Sequence, residues 1–246
     1  MRNIRIQLKF VGTNYHGWQI QPNGVTVQQK LSEAVSSITN GDFSNLCGCG
    51  RTDAGVHAQK YFASFKTSSS ISTSNIPLAL NSKLPDDIVC VQAEEMPEEF
   101  DVSRDVTSKT YTYTIYNGEI SDPFLFPFVY NVKFPLDVSK MHIAAKSFEG
   151  THDFCGFAAS GFTVKTTVRT IYSVDITKDD KIIQIKVCGN GFLYNMVRII
   201  AGTLIAVGGG KIEPDQITDI INSKDRTRAG ATAPAQGLCL TEVCYK

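Results

Sequence analysis

No surplus of either charge marks this chain: 24 Lys and Arg stand against 24 Asp and Glu, so the net charge is zero. That balance argues, at first, against a nucleic-acid partner, whose usual protein is basic. No long apolar run is present either. The longest, Ile199 to Val207, falls well short of the roughly 20 residues a membrane span needs, and no membrane partner is expected. The opening MRNIRIQLKF lacks the continuous apolar stretch of a secretory signal. Seven cysteines include no CxxC pair, and an odd count disfavours a disulfide framework, so a reduced cytoplasmic protein is expected. Cys47 and Cys49 flank Gly48, but nothing nearby in sequence completes a zinc site, and no metal is expected. Gly48 and Gly50 start a GxG without the third glycine of GxGxxG, and no Gly-Lys-Ser/Thr follows; a phosphate-cradling loop is disfavoured.

What is present is an ordinary globular composition, 42% apolar and 20% charged, in 246 residues. That length holds one large core or two smaller ones. The charges are unevenly placed. Between Asp86 and Asp105 eight acids face Arg104 alone, which leaves the rest of the chain basic by seven charges. Such a chain either binds a phosphate backbone on a basic face or carries its acids along a solvated edge; composition does not choose.

Periodicity supplies the elements. Ile4, Ile6, Leu8 and Phe10 alternate with polar residues and predict a half-buried strand. Val27, Leu31, Ala34, Val35 and Ile38 share a helical face over 26–39, with Thr26 and Gln29 placed as a capping box. Strands are predicted at 61–66, 88–93 and 110–116, with a serine-rich loop at 67–75 and a turn at Leu84-Pro85-Asp86-Asp87. Later come a helix over 138–148 closed by Gly150, a hairpin of 168–177 with 182–187, and a long helix over 191–207. A short helix over 214–222 and a strand over 238–244 end the chain. The reading is α+β: two similar α/β halves with mainly antiparallel sheets across a central cleft, helices on one side, divided as 1–105 and 106–246.

The stretch GRTDAGVHA, Gly50 to Ala58, is the candidate site. Gly with Asp is a common turn pairing, since Gly accepts positive φ and Asp bonds its own backbone. The sharper reading is a reactive carboxylate whose small neighbours Ala54 and Gly55 let a flat substrate approach. Burial alone raises an Asp pKa by up to ~3–5 units and can neutralise it; a neighbouring arginine lowers it by ~1–3 units. A nucleophilic Asp53 therefore needs a cationic partner. Arg198, set among apolar Met196, Val197, Ile199 and Ile200, needs a partner in turn, because burying an unpaired charge is costly.

GRTDAGVHA at 50–58 resembles the catalytic motif of the TruA family of tRNA pseudouridine synthases, and six further blocks in the same order resemble its other signatures: residues 10–28, 80–88, 108–117, 150–157, 191–211 and 232–245. The resemblance implies the pseudouridine synthase fold and isomerisation of uridines in the anticodon stem-loop of tRNA (positions 38–40), by a homodimer without cofactor or metal. It implies that Asp53 is the catalytic aspartate and Arg198 its paired arginine. Arg51 would enter the RNA stem as the target nucleotide leaves, Tyr111 would pack on the uracil, and His57 would shape the substrate cleft. Lys60, Lys109, Lys165, Arg169, Arg226 and Arg228 are candidate RNA contacts. Asp101-Val102 departs from the His-Ala pair frequent in the family, and an acid there would weaken local RNA contact. Two alternatives stand beside this reading. One is an Asp-dependent glycosidic hydrolase, disfavoured because the block holds no second acid. The other is a catalytically silent RNA-binding or RNA-folding protein of the same fold.

Overall fold

A computed structural model describes residues 1–161 and 164–246. The described residues form ten β-strands and five α-helices, and they divide into two compact units, 1–107 with 240–246 and 108–239.

In the first unit, strands β1 (Arg2–Phe10), β2 (Ser44–Gly48), β3 (His57–Thr67) and β4 (Ile88–Met96) surround helices α1 (Val27–Thr39) and α2 (Ile76–Asn81) in the chain. The strand order is β4-β1-β3-β10, where β10 is Leu238–Tyr245, and β2 also pairs with β3. The pairings of β1 with β3 and β4, and of β2 with β3, are antiparallel. The alternation in β1 is realised: Ile4, Ile6 and Leu8 are fully buried and Phe10 nearly so. Each such side chain contributes roughly 1.5–3 kcal/mol. Helix α1 buries Val27, Leu31, Ala34 and Val35 as predicted, but Thr39 is buried in place of Ile38. Its hydroxyl is satisfied by donating to the Val35 carbonyl at 2.8 Å. Only half of the capping box forms: the Gln29 amide donates to Thr26 Oγ1 at 3.3 Å, while the Gln29 side chain turns to Glu33.

Register explains part of the acidic stretch. Arg5 lies opposite Glu94 across β1 and β4, and the two pair at 2.6 Å; Arg2 pairs with Glu95 at 2.9 Å and Lys66 with Glu98 at 3.8 Å. The pairs of Arg2 and Lys66, with open carboxylates, are worth ~0–1 kcal/mol each, and all three cancel charge locally. The Arg5 guanidinium also lies over the rings of Phe62, Phe100 and Tyr245 at 5.1, 5.4 and 5.2 Å, which ties β10 to the middle of the sheet. The unusual Asp101 caps its own turn. Its carboxylate accepts from the amides of Ser103 and Arg104 at 2.9 and 2.8 Å. These backbone bonds, Arg104 first, hold its pKa below the ordinary carboxylate range.

The second unit contains β5 (Val106–Asn117, from Ser108 on), β6 (Tyr130–Val132), β7 (Gly150–Asp153), β8 (Val168–Asp179) and β9 (Ile182–Gly189). Its order is β5-β9-β8-β7, with the short β6 parallel to β5. The predicted hairpin is β8–β9, turned through Asp180 at φ 47°. Helices α3 (Val138–Lys146), α4 (Met196–Gly208) and α5 (Gln216–Ser223) complete it, with α3 against both α4 and β8. Two expectations are corrected. Helix α3 stops at Lys146, and Gly150, at φ 104°, opens β7 instead of closing the helix. Helix α4 begins at residue 196 and not 191, because Asn195 sits in the left-handed region at φ 60° and cannot lie inside a helix. No helix among the described residues is long and apolar enough to cross a membrane.

Residues 230–233 cross α4 at close range. The Gly230 amide donates to Thr203 Oγ1 at 2.9 Å, and a Cβ at Gly202 would lie 1.8 Å from the Ala231 carbonyl oxygen. Gly202→Ala must therefore push this segment off the helix, with an expected loss of about 1–3 kcal/mol. A thermal unfolding midpoint equal to wild type would contradict the close approach.

Candidate active site

The turn that carries Asp53 is held from below by backbone. Val56 N–H donates to the Asp53 carbonyl at 3.2 Å, and Gly55 takes the left-handed position at φ 78° that such a turn asks of glycine. Residues 11–18 run beneath it. The Gly55 amide donates to the Tyr15 carbonyl at 3.1 Å and the Trp18 amide to the Thr52 carbonyl at 3.3 Å. A Cβ at Gly12 would lie 2.0 Å from Val56 O, and one at Gly17 would lie 2.3 Å from Thr52 O. Only glycine allows contact this near, and Gly17 also needs its φ of 81°. The start of the turn is tied as well: Tyr61 donates its hydroxyl to the Gly50 carbonyl at 2.6 Å, and the Cys49 amide reaches Phe62 O at 2.8 Å.

The predicted residues of this unit fall into different situations. Asp53 is half-buried, and Ala54 beside it is exposed. Arg51 is exposed and makes no hydrogen bond or ion pair among the described residues. His57 is buried, and its Nδ1 accepts the Gly12 amide at 3.0 Å. That bond requires an unprotonated Nδ1, so the ring is neutral with its proton on Nε2. Part of its work is thus to hold the 11–18 backbone against the turn. Lys60 pairs with Glu242 at 3.5 Å.

In the second unit, β5 and the start of α4 carry the other candidates. Tyr111 lies opposite Val187 of β9, is 8% exposed, and meets Phe192 edge-on with ring centroids 5.3 Å apart. Tyr113, two residues along the same strand face, has a distinct role. Its ring is fully buried over Gly237, and its hydroxyl donates to Pro234 O at 2.8 Å. Burial raises its pKa well above the ordinary tyrosine value, with the Arg198 charge opposing. Arg198 is half-buried in the first turn of α4. Its Nε donates to Ala233 O at 2.8 Å and its Nη1 to Asn195 Oδ1 at 2.7 Å, while its own carbonyl accepts the Ala233 amide at 3.1 Å. These contacts fix the guanidinium plane. Asn195 was not anticipated; an Asn immediately before an apolar helical run is the available signal.

The basic candidates of this unit also separate. Arg169 donates to the carbonyls of Thr166 and Val168 at 2.9 and 2.7 Å, and burial lowers its pKa. Arg226 donates to Gly230 O at 2.9 Å and Thr232 Oγ1 at 3.0 Å. Both brace their own loops. Lys165 and Arg228 are exposed, and Lys109 stands on β5 opposite Gly189. Among the described residues no three His, Cys, Asp or Glu side chains gather as metal ligands would.

A family described as tRNA pseudouridine synthase matches residues 7–105 and 144–246. The chain belongs to that family. Among its relatives, proteins named tRNA pseudouridine synthase A from Thermoanaerobacter sp. (strain X514) and from Ruminiclostridium cellulolyticum are 48% identical over 245 and 246 residues, covering 100% of both chains in each case. One named tRNA pseudouridine synthase A 2 from Clostridium perfringens is 49% identical over 245 residues, again at 100% of both chains.

Thr52 Oγ1 is buried and has no hydrogen-bond partner among the described residues. A buried unpaired hydroxyl costs ~1–3 kcal/mol. Thr52→Val removes that cost without removing a bond, so it should stabilise by about 1 kcal/mol and raise the melting temperature by about 2–4 °C. A lower melting temperature would show that the hydroxyl is satisfied in solution.

Proposed function

We propose that this chain isomerises uridine to pseudouridine in tRNA, with Asp53 as the catalytic carboxylate. The observation that carries this reading is the intact GRTDAGVHA turn, which presents a half-buried carboxylate beside exposed Ala54 and Arg51 on a backbone held by glycine contacts. Membership of the family and the relatives' names support it.

In the reaction the N1–C1′ bond breaks, the uracil turns, and C5 bonds to C1′; N1 gains a proton and C5 loses one. Attack at C1′, addition at uracil C6 and removal of the C2′ proton all require Asp53 to be ionised. Arg198 is proposed as the cation that keeps it so. A stacked base hides the reacting atoms, so the nucleotide must leave the stack at a cost of a few kcal/mol. Packing on Tyr111 returns ~1–3 kcal/mol. Arg51, exposed and without a hydrogen bond or ion pair among the described residues, is suited to the vacated space. The proposed substrate region is the anticodon stem-loop, recognised by shape and phosphates more than by base edges. Lys165 and Arg228, both exposed, are better placed to contact phosphates than Arg169 and Arg226, whose guanidinium groups brace loops. A homodimer in the cytoplasm is the proposed working state.

Asp53→Asn is expected to abolish tritium release from C5-labelled uridine in tRNA while leaving tRNA binding in place; full turnover would remove Asp53 from the chemistry. Arg198→Met is expected to raise the pKa of the catalytic carboxylate. Activity would then fall away at a higher pH on the acid side, with a lower rate at neutral pH. An unchanged pH–rate profile would remove the proposed pairing.

A further inference from the structure

The turn at Leu84-Pro85-Asp86-Asp87 has no part in the chemistry above, yet one of its carboxylates reaches the underside of the Asp53 turn through a single intermediate residue. Asp87 accepts the Tyr15 hydroxyl on one carboxylate oxygen and Asn14 Nδ2, at 3.1 Å, on the other. Its carbonyl accepts the Val11 amide at 2.9 Å. Three groups of one residue thus hold three positions of the 11–15 stretch. Tyr15 is 6% exposed, its amide is turned onto the Gly12 carbonyl at 2.9 Å, and its own carbonyl takes the Gly55 amide at 3.1 Å. Gly55 is the left-handed residue of the turn that Asp53 begins. Burial and then the Asp87 contact raise the Tyr15 pKa above the ordinary tyrosine value, so the hydroxyl keeps its proton and remains a donor.

We infer that Asp87 and Tyr15 form a positioning strut, which sets the height and orientation of the Asp53 turn and acts on turnover without touching RNA. The inference rests on Asp53 being the reacting carboxylate. It assigns a specific task to one acid in a stretch where Glu94, Glu95 and Glu98 pair with cations of β1 and β3 and Asp101 caps a turn. Removing the Tyr15 hydroxyl leaves the ring in place but frees the 11–15 stretch to shift, and a misplacement of about 1 Å at a reacting group can cost on the order of 100-fold in rate.

The experiment measures steady-state tritium release from tRNA for Tyr15→Phe, Asp87→Asn and the double variant, beside Asp53→Asn. Hydrogen exchange of the 53–56 amides and melting temperature are read on the same proteins. The strut requires kcat to fall by about ten-fold or more in each single variant, with KM for tRNA unchanged. The double variant should be no slower than the slower single one, since the residues act as a unit. Faster exchange at Gly55 should accompany the loss, below the melting temperature of every variant. Wild-type kcat in folded Tyr15→Phe, with Asp53→Asn inactive, overturns the strut alone. A rise in KM with kcat intact overturns it too, because that is loss of binding and not of positioning. If Asp53→Asn turns over normally, the strut falls together with the reading of Asp53.

Discussion

Gly12 and Gly17 let the backbone of residues 11–18 lie directly against that of residues 52–57, so near that a methyl group at either position would overlap a carbonyl oxygen. Everything proposed for the first unit depends on that contact. A carboxylate proposed to act on a flat base cannot have bulky side chains in front of it; this turn is supported from behind, by amide–carbonyl bonds and by His57. The support is buried and polar, and nearly all of it is satisfied, as a buried polar assembly must be to be stable. The Thr52 hydroxyl is the visible exception.

The second unit solves a related problem with a charged side chain. Arg198 enters α4 in the first turn, where a helix has unsatisfied N–H groups and gains nothing from a cation. Its position is stabilised instead by the Asn195 side chain and the Ala233 carbonyl. The 233–234 segment is pinned a second time by Tyr113, whose hydroxyl takes the next carbonyl, that of Pro234. The two tyrosines of KTYTYTI are therefore not equivalent: Tyr113 spends its hydroxyl on the fold, and Tyr111 meets Phe192 through its ring.

Zero net charge proves a weak guide to partners because charge acts locally. The acids after residue 86 are partly matched by Arg5, through strand register, and by Arg2 and Lys66, and Asp101 and Asp87 hold backbone and side-chain donors nearby. Among the candidate RNA-contacting cations, Arg169 and Arg226 brace loops, Lys60 pairs with Glu242, and Lys165 and Arg228 are exposed, distinctions that depend on which acceptors lie within reach of each side chain.

Period-two and period-3.6 patterning, with the Thr26 cap, was enough to place β1, α1, the β8–β9 hairpin and most of the other elements, because burial of an amphipathic face is written into residue order. The motif blocks were enough to locate the candidate turn. The start of α4, the end of α3 and the exchange of Ile38 for Thr39 were not legible. Each depends on one residue's φ or on one hydroxyl finding a carbonyl, which periodicity does not encode. Nor could spacing show that Tyr15, Asp87 and Asn195 stand behind the candidate site residues, or that Leu240–Lys246 folds back into the first unit. Apart from Asn195, three residues before Arg198, those relations link positions tens to hundreds of residues apart, and only the packed backbone decides which donors meet which acceptors.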